Sequence, residues 1–156
     1  MPKSALTLIA ALACLAAGAL PAVAAPVYCA LDDNLVRLSV ESQGSTSDSS
    51  QLQQFRGVVS LKKVPVAGMH KNFRLTQDML ETSKLGTGSL EFLLVSESKT
   101  ENPFVTLTLK VTANSATPQG ESSGNYQLTV TSSPHRSSLD QKTVLSDVGR
   151  IYCKLP

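Results

Sequence analysis

The sequence predicts an all-β fold: a single antiparallel domain of seven or eight strands. Apolar and polar residues alternate through most of the chain, most clearly in the segments 103–112 and 125–131. A period of two places the apolar side chains of a strand on one face. The apolar positions of these two segments are Val105, Leu107, Leu109, Val111, Tyr126, Leu128 and Val130, and most residues between them are Thr. Because β-branched Thr suits the exposed face of a sheet, we expect a hairpin with one buried and one solvated face.

Residues 1–24 have the features of a secretory signal peptide. Lys3 precedes an Ala- and Leu-rich apolar run, which ends at Pro21 and is followed by the small residues of Ala22-Val23-Ala24. This order of a basic residue, an apolar run and a small-x-small site is typical of signal peptides. We predict cleavage after Ala24 and a single all-β domain at 25–156, in the periplasm or outside the cell.

Two alternatives for the N-terminal segment are a transmembrane anchor and a lipid-modified cysteine. The apolar run is short for a membrane span, and Gly18 and Pro21 interrupt it. Lipidation at Cys14 usually requires Leu three residues earlier, where this chain has Ala11, and the apolar run continues past Cys14. We therefore favour a cleaved signal peptide, with no transmembrane segment after cleavage.

The charge of the chain does not indicate a nucleic acid or a membrane surface as its partner. The chain has 14 basic and 12 acidic residues, and removal of Lys3 leaves 13 basic residues and a net charge of +1. This balance gives no reason to expect binding to nucleic acid or to a membrane surface. Trp is absent, so the core must consist mainly of Leu and Val.

Two cysteines, Cys29 and Cys153, remain after cleavage, one near each end of the mature chain. An even pair of cysteines in an exported protein predicts a disulfide. Each cysteine shares its strand parity with apolar neighbours, so both sulfur atoms should point inward. A disulfide requires α-carbons about 5.5 Å apart, and the first and last strands must therefore be neighbours or face each other. Without a Cys-x-x-Cys motif, a thiol redox or metal site is the weaker interpretation.

The remaining segments extend the strand pattern along the chain. Loops rich in Ser, Gly, Asn and Thr occupy 43–51 and 113–124. One short helix is predicted over 76–85, with Thr76 as its cap and Gly86 as its stop. The segments predicted as strands are 27–31, 35–41, 55–63, 72–75, 89–97, 103–112, 125–131, 141–146 and 148–155. We expect seven or eight of them to form a small up-and-down barrel or flattened barrel, with a β-sandwich as the alternative.

No constellation of residues supports catalysis or metal binding. The two histidines, His70 and His135, lie in hydrophilic loops. Met69 and His70 with Met79 could form a soft copper site, but a turn and a core methionine explain the same residues. A basic patch is conceivable at Lys62, Lys63, Lys71 and Arg74, although alternating strand sides would divide it. We predict no catalytic residues, no metal ligands and no cofactor, and the sequence identifies no ligand-binding residue.

These observations favour a non-catalytic, exported binding or interaction module with an unknown protein or envelope component as its partner. An inhibitor of a secreted enzyme is one example of such a module. The alternative is a barrel that carries a small ligand in an open interior. An enzyme ranks third, because no catalytic constellation can be recognised.

Overall fold

The computed structural model describes residues 26–44, 51–100, 102–115 and 120–156. The predicted signal peptide lies outside these residues, as do parts of the two polar loops. The described chain forms nine strands and a 3-10 turn: β1 (Pro26–Asp32), β2 (Val36–Gly44), β3 (Leu52–Leu61), β4 (Asn72–Thr76), the 3-10 turn (Gln77–Met79), β5 (Leu80–Gly86), β6 (Ser89–Glu97), β7 (Phe104–Asn114), β8 (Gly120–Ser133) and β9 (Lys142–Leu155).

The strands form one nearly closed, barrel-shaped antiparallel sheet in the order β4-β3-β2-β1-β9-β8-β7-β6-β5. Every neighbouring pair except β1 and β9 is consecutive along the chain, as in an up-and-down barrel. β1 and β9 pair through Tyr28–Lys154, Cys29–Cys153 and Ala30–Tyr152. The all-β prediction and the preference for a barrel are therefore confirmed, with nine strands in place of seven or eight.

The additional strand arises where the sheet closes. β4 pairs with the C-terminal half of β3, and β5 pairs with β6. Since strand direction alternates across the sheet, β4 and β5 run the same way, and the 3-10 turn at Gln77–Met79 joins them. The segment Asn72–Gly86 is therefore bent at the 3-10 turn, so that it pairs first with β3 and then with β6.

Two predictions for individual segments need correction. The helix expected over 76–85 is limited to the three-residue turn, because Leu80–Gly86 pairs with β6 and buries Leu85 opposite Leu90. The two strands expected at 141–146 and 148–155 are one continuous strand, β9, which pairs with β8 along its whole length. In both segments tertiary pairing overrides the local pattern.

Side chains take the place of strand pairing where β5 passes the N-terminal half of β3. The Phe55 N–H donates to Gln77 Oε1 (2.8 Å), and Gln77 Nε2 donates to the Leu52 carbonyl (3.2 Å). The Leu52 N–H donates to Ser83 Oγ (3.2 Å). These three bonds give the exposed edge of β3 the partners that a neighbouring strand would otherwise supply.

The interior is one hydrophobic cluster with contributions from all nine strands, and the predicted strand parities are confirmed. The rings of Phe55 and Phe92 meet edge to face, with their centroids 5.3 Å apart. Burial of each Leu or Val side chain contributes about 1.5–3 kcal/mol, so this cluster is the main source of stability. Its largest fully buried side chains are Phe92, Leu38, Leu61, Leu75, Leu94, Leu107, Leu109, Leu128, Ile151, Val36, Val40 and Val59.

The disulfide predicted between Cys29 and Cys153 is confirmed. The two residues stand directly opposite each other on β1 and β9, with their α-carbons 4.1 Å apart. Both side chains are buried in the hydrophobic cluster. The bond thus joins the two strands that have the shortest pairing in the sheet.

Candidate functional site

The residues that precede the two cysteines carry exposed aromatic rings. The chain reads Val27-Tyr28-Cys29 in β1 and Ile151-Tyr152-Cys153 in β9. Because each cysteine points into the core, the tyrosine before it must point outward. Tyr28 is 47% exposed and Tyr152 is 62% exposed. Most aromatic rings of a protein are better buried than this, so the pair is an unusual surface feature.

The register of β1 and β9 makes the two tyrosines diagonal neighbours. Tyr28 lies opposite Lys154, and Tyr152 lies opposite Ala30. Diagonal neighbours on adjacent strands are about 7–8 Å apart, within reach of a single binding partner. The small side chain of Ala30 lies beside both rings and does not cover them. The disulfide directly beneath fixes the relative position of the two strands.

The same outward face continues across β2, β3 and β4. Ala30 lies opposite Ser39, Ser39 opposite Val58, and Val58 opposite Arg74. Val58 is a third exposed apolar residue in this row, at 43%. We call this face the tyrosine wall and define it by Tyr28, Ala30, Ser39, Glu41, Arg56, Val58, Arg74, Arg150, Tyr152 and Lys154.

An open groove of about 580 Å³ runs along the tyrosine wall from Tyr28 to Arg74. Ser39 fills little space in the middle of the wall, and the backbone of Gly57, which lies between Arg56 and Val58 on β3, also lines the groove. A Cβ added to Gly57 would lie 2.5 Å from the Ser39 carbonyl oxygen, so glycine allows β2 and β3 to approach closely here. The groove is a surface feature and not a barrel lumen.

Acidic side chains on β1 and β2 are already paired. Asp32 binds Arg37 (2.6 Å) and Lys62 (2.7 Å), and Glu41 binds Arg56. Hydrogen bonds from Lys62 and Arg37 hold the pKa of the Asp32 carboxyl below its ordinary value. The cations Arg74, Arg150 and Lys154 are exposed, and in the described chain none of them makes an ion pair or a side-chain hydrogen bond. The tyrosine wall therefore has an excess of positive charge.

A partly buried polar cluster joins the β1–β2 turn to β8 and β9, close to the short β1–β9 pairing. The Tyr126 hydroxyl binds Asp147 Oδ2 (2.6 Å) and Asp33 Oδ2. Asp33 Oδ1 accepts hydrogen bonds from the N–H groups of Leu35 (2.9 Å) and Val36 (2.8 Å). These two bonds stabilise the β1–β2 turn. Tyr126 thus connects the β1–β2 turn to β8, across β9.

The environment of this cluster shifts two pKa values. Burial, together with the hydrogen bonds to Asp147 and Asp33, raises the pKa of the Tyr126 phenol well above its ordinary value. Burial alone would raise the pKa of Asp33, but hydrogen bonds from Tyr126 and from the backbone of Val36 and Leu35 lower it overall. Tyr126 is only 2% exposed. The cluster therefore connects the β1–β2 turn to β8 and β9.

The structure separates the residues that the sequence singled out for chemistry. His70 lines a pocket of about 210 Å³ in the β3–β4 connection, and His135 lies in the β8–β9 connection with Nδ1 3.2 Å from Ser137 Oγ. Met69 is buried in the hydrophobic cluster, and the partly buried Met79 packs against that cluster. Within the described ranges, no three His, Cys, Asp or Glu side chains converge as a metal ion would require.

The basic patch considered from the sequence is divided. Lys62 binds Asp32 and also donates to the carbonyl of Asp33. Arg74 belongs to the tyrosine wall, while Lys63 and Lys71 are exposed in the β3–β4 connection. Of these four residues, only Arg74 contributes an unpaired charge to the groove.

The two wall tyrosines were not among the residues that the sequence analysis singled out. Their signal was present as a Tyr-Cys pair repeated in the first and last strands, with the cysteines assigned to the core. Comparison with family models, with curated proteins and with solved structures finds no match. Among the residues with a described structure, no helix has the length and apolar character needed to span a bilayer.

Proposed function

We propose that this protein is an exported, non-catalytic binding module that engages a partner protein through the tyrosine wall. The observation that carries the proposal is the pair of exposed tyrosines, Tyr28 and Tyr152, held side by side above the Cys29–Cys153 disulfide. The disulfide also supports the exported state, since such bonds persist in oxidising compartments.

Tyrosine and arginine are the residues most enriched at the energetic centres of protein interfaces. A tyrosine offers a large contact area and loses little conformational entropy, because it has few rotatable bonds. Here the backbone that carries both rings is restrained by the sheet and by the disulfide. Binding therefore requires little further ordering of this surface, which favours affinity.

The dimensions of the wall suit a macromolecular partner. Four strands from β9 to β3 span about 15 Å at the usual spacing of strands, and β4 extends the face further. The groove of about 580 Å³ is open along this face. By contrast, the side chains that point into the described barrel form a packed cluster. These features support contact on the outer face more than transport of a small ligand in a lumen.

Affinity capture with matched variants tests the proposal. The bait is the mature, disulfide-bonded protein, immobilised and exposed to the envelope and secreted proteins of its source cell. Y28S/Y152S removes both aromatic rings, and V64S/L139S removes two exposed apolar side chains that lie outside the wall. We expect Y28S/Y152S to weaken capture at least about thirtyfold, as loss of an interface centre does, and V64S/L139S to leave it unchanged.

Circular dichroism and melting temperature must first show that all baits are folded. Equal capture by Y28S/Y152S and the unsubstituted protein would contradict the proposal. Capture that depends on Val64 and Leu139 would place the interface elsewhere.

A further inference from the structure

We infer that the partner presents an acidic protein surface to the tyrosine wall, an inference that rests on the proposed function. The reason is the arrangement of charge around the aromatic pair, which a neutral or basic partner would leave uncompensated. Charges of this kind steer encounter and select among partners more than they add affinity.

The three unpaired cations surround the apolar centre of the wall. Arg150 and Lys154 stand on either side of Tyr152 on the outward face of β9, two residues away in each direction. Arg74 on β4 lies across the groove, opposite Val58 on β3. An incoming surface that covers Tyr28 and Tyr152 must therefore approach positive charge from two sides.

Among the described side chains on β1 and β2, the carboxylates near these cations are already paired. Asp32 already binds Arg37 and Lys62, and Glu41 already binds Arg56. The whole chain carries a formal charge of only +2, so the excess on this face is a local arrangement and not a general property of the protein.

The same charges argue against a second copy of this chain as the occupant. A symmetric pair of tyrosine walls would place Arg74, Arg150 and Lys154 of both copies in one interface. Like charges facing each other in an interface are destabilising. A membrane surface is also a poorer fit, since the wall offers only three exposed apolar side chains and no amphipathic helix that could enter a bilayer.

Neutralisation of the three cations tests the inference. R74Q/R150Q/K154Q removes them, and K84Q/K99Q/K142Q removes the same amount of charge at exposed sites outside the wall. The probe is the fraction of envelope and secreted proteins retained by the unsubstituted bait but lost with Y28S/Y152S. We expect R74Q/R150Q/K154Q to reduce retention of that fraction about tenfold at low salt, and K84Q/K99Q/K142Q to change it less than twofold.

Salt and isoelectric point complete the test. Retention should fall as sodium chloride rises from about 50 to 500 mM, and the retained proteins should focus below neutral pH. Retention that needs the tyrosines but is insensitive to salt and to R74Q/R150Q/K154Q would overturn the inference and leave the proposed function in place. If the unsubstituted bait retains no protein that Y28S/Y152S fails to retain, both the inference and the proposed function are overturned.

Two further arms exclude other anionic occupants. Vesicles of phosphatidylglycerol and immobilised heparin are offered to the same baits. Cation-dependent binding to either probe, without a retained acidic protein, would show that the wall recognises a lipid or polysaccharide, and would overturn the inference.

Discussion

The ring of Tyr126 on β8 lies over Gly149, the residue directly opposite it on β9. A Cβ added to Gly149 would come 2.8 Å from Tyr126 Cε1. The missing side chain lets the ring pass across β9, so that its hydroxyl reaches Asp33 in the β1–β2 turn. This contact supports the region where β1 and β9 pair through only three positions, directly next to the tyrosine wall.

We predict that Gly149→Ala destabilises the protein by about 1–3 kcal/mol, because the new methyl group displaces the Tyr126 ring. Thermal and urea unfolding measure the loss. Ser146→Ala, an exposed position on the same strand, serves as the control and should change stability by less than about 0.5 kcal/mol. A Gly149→Ala protein as stable as the control would show that the ring can move aside without cost.

The polar cluster predicts a pH dependence at both extremes. The pKa of Asp33 is lowered in the folded state from 3.8, so its contribution is fully present above that value and is lost as pH falls towards the folded pKa. The pKa of Tyr126 is raised from 10.0, so its contribution is complete below pH 10 and declines as pH rises beyond that value. Stability should therefore fall below about pH 4 and above about pH 10.

Tyr126→Phe isolates these contributions. It should cost about 1–3 kcal/mol at neutral pH, since two partly buried hydrogen bonds to carboxylates are lost. Loss of the phenol also removes one of the bonds that lower the pKa of Asp33, so the part of the acid-induced decline that comes from Asp33 should become smaller. The part of the alkaline decline that comes from Tyr126 should disappear. Unfolding free energies measured across the pH range check both statements, and identical pH profiles would contradict them.

Removal of the Cys29–Cys153 bond should cost about 2–5 kcal/mol, mainly through the greater freedom of the unfolded chain. Cys29→Ala and Cys153→Ala should give the same loss, and the double substitution should add nothing further. Reduction should lower the melting temperature while the β-type circular dichroism persists at low temperature. Detection of two free thiols in the unreduced, denatured protein would rule out the bond.

The strands of this fold could be predicted where alternation is strict. Val36, Leu38 and Val40 show their buried face without ambiguity, and Cys29 and Cys153 imply that the chain's first and last strands meet. Both inferences depend only on the period of two and on disulfide geometry. They were sufficient to favour a barrel.

The segments that were misread are those in which long-range contacts decide the structure. Asp147 interrupts the apolar face of β9 and therefore looked like a boundary between two strands, but its carboxylate is satisfied by Tyr126, 21 residues away. Leu80–Gly86 resembles the end of a helix until β6 is available to pair with it. The partner that compensates each irregularity lies far away in the sequence, so a local pattern cannot reveal it.

The candidate site was harder to predict than the fold. Inward orientation of Cys29 and Cys153 implies outward orientation of Tyr28 and Tyr152, and this step was available from the sequence alone. The unpaired state of Arg74 and the opening of the groove over Gly57 depend on which strands become neighbours. These features require the three-dimensional register.

Site-specific photocross-linking in the exporting cell tests the central claim most directly. A benzophenone amino acid is placed at Tyr28 or Tyr152 on the tyrosine wall, or at Thr82 on β5 or Thr108 on β7 as matched positions at the other end of the sheet. We predict that the two wall positions yield a discrete adduct with one protein, and that Thr82 and Thr108 yield none. Adducts formed at Thr82 or Thr108 but not at Tyr28 and Tyr152 would contradict the assignment of the tyrosine wall as the binding surface.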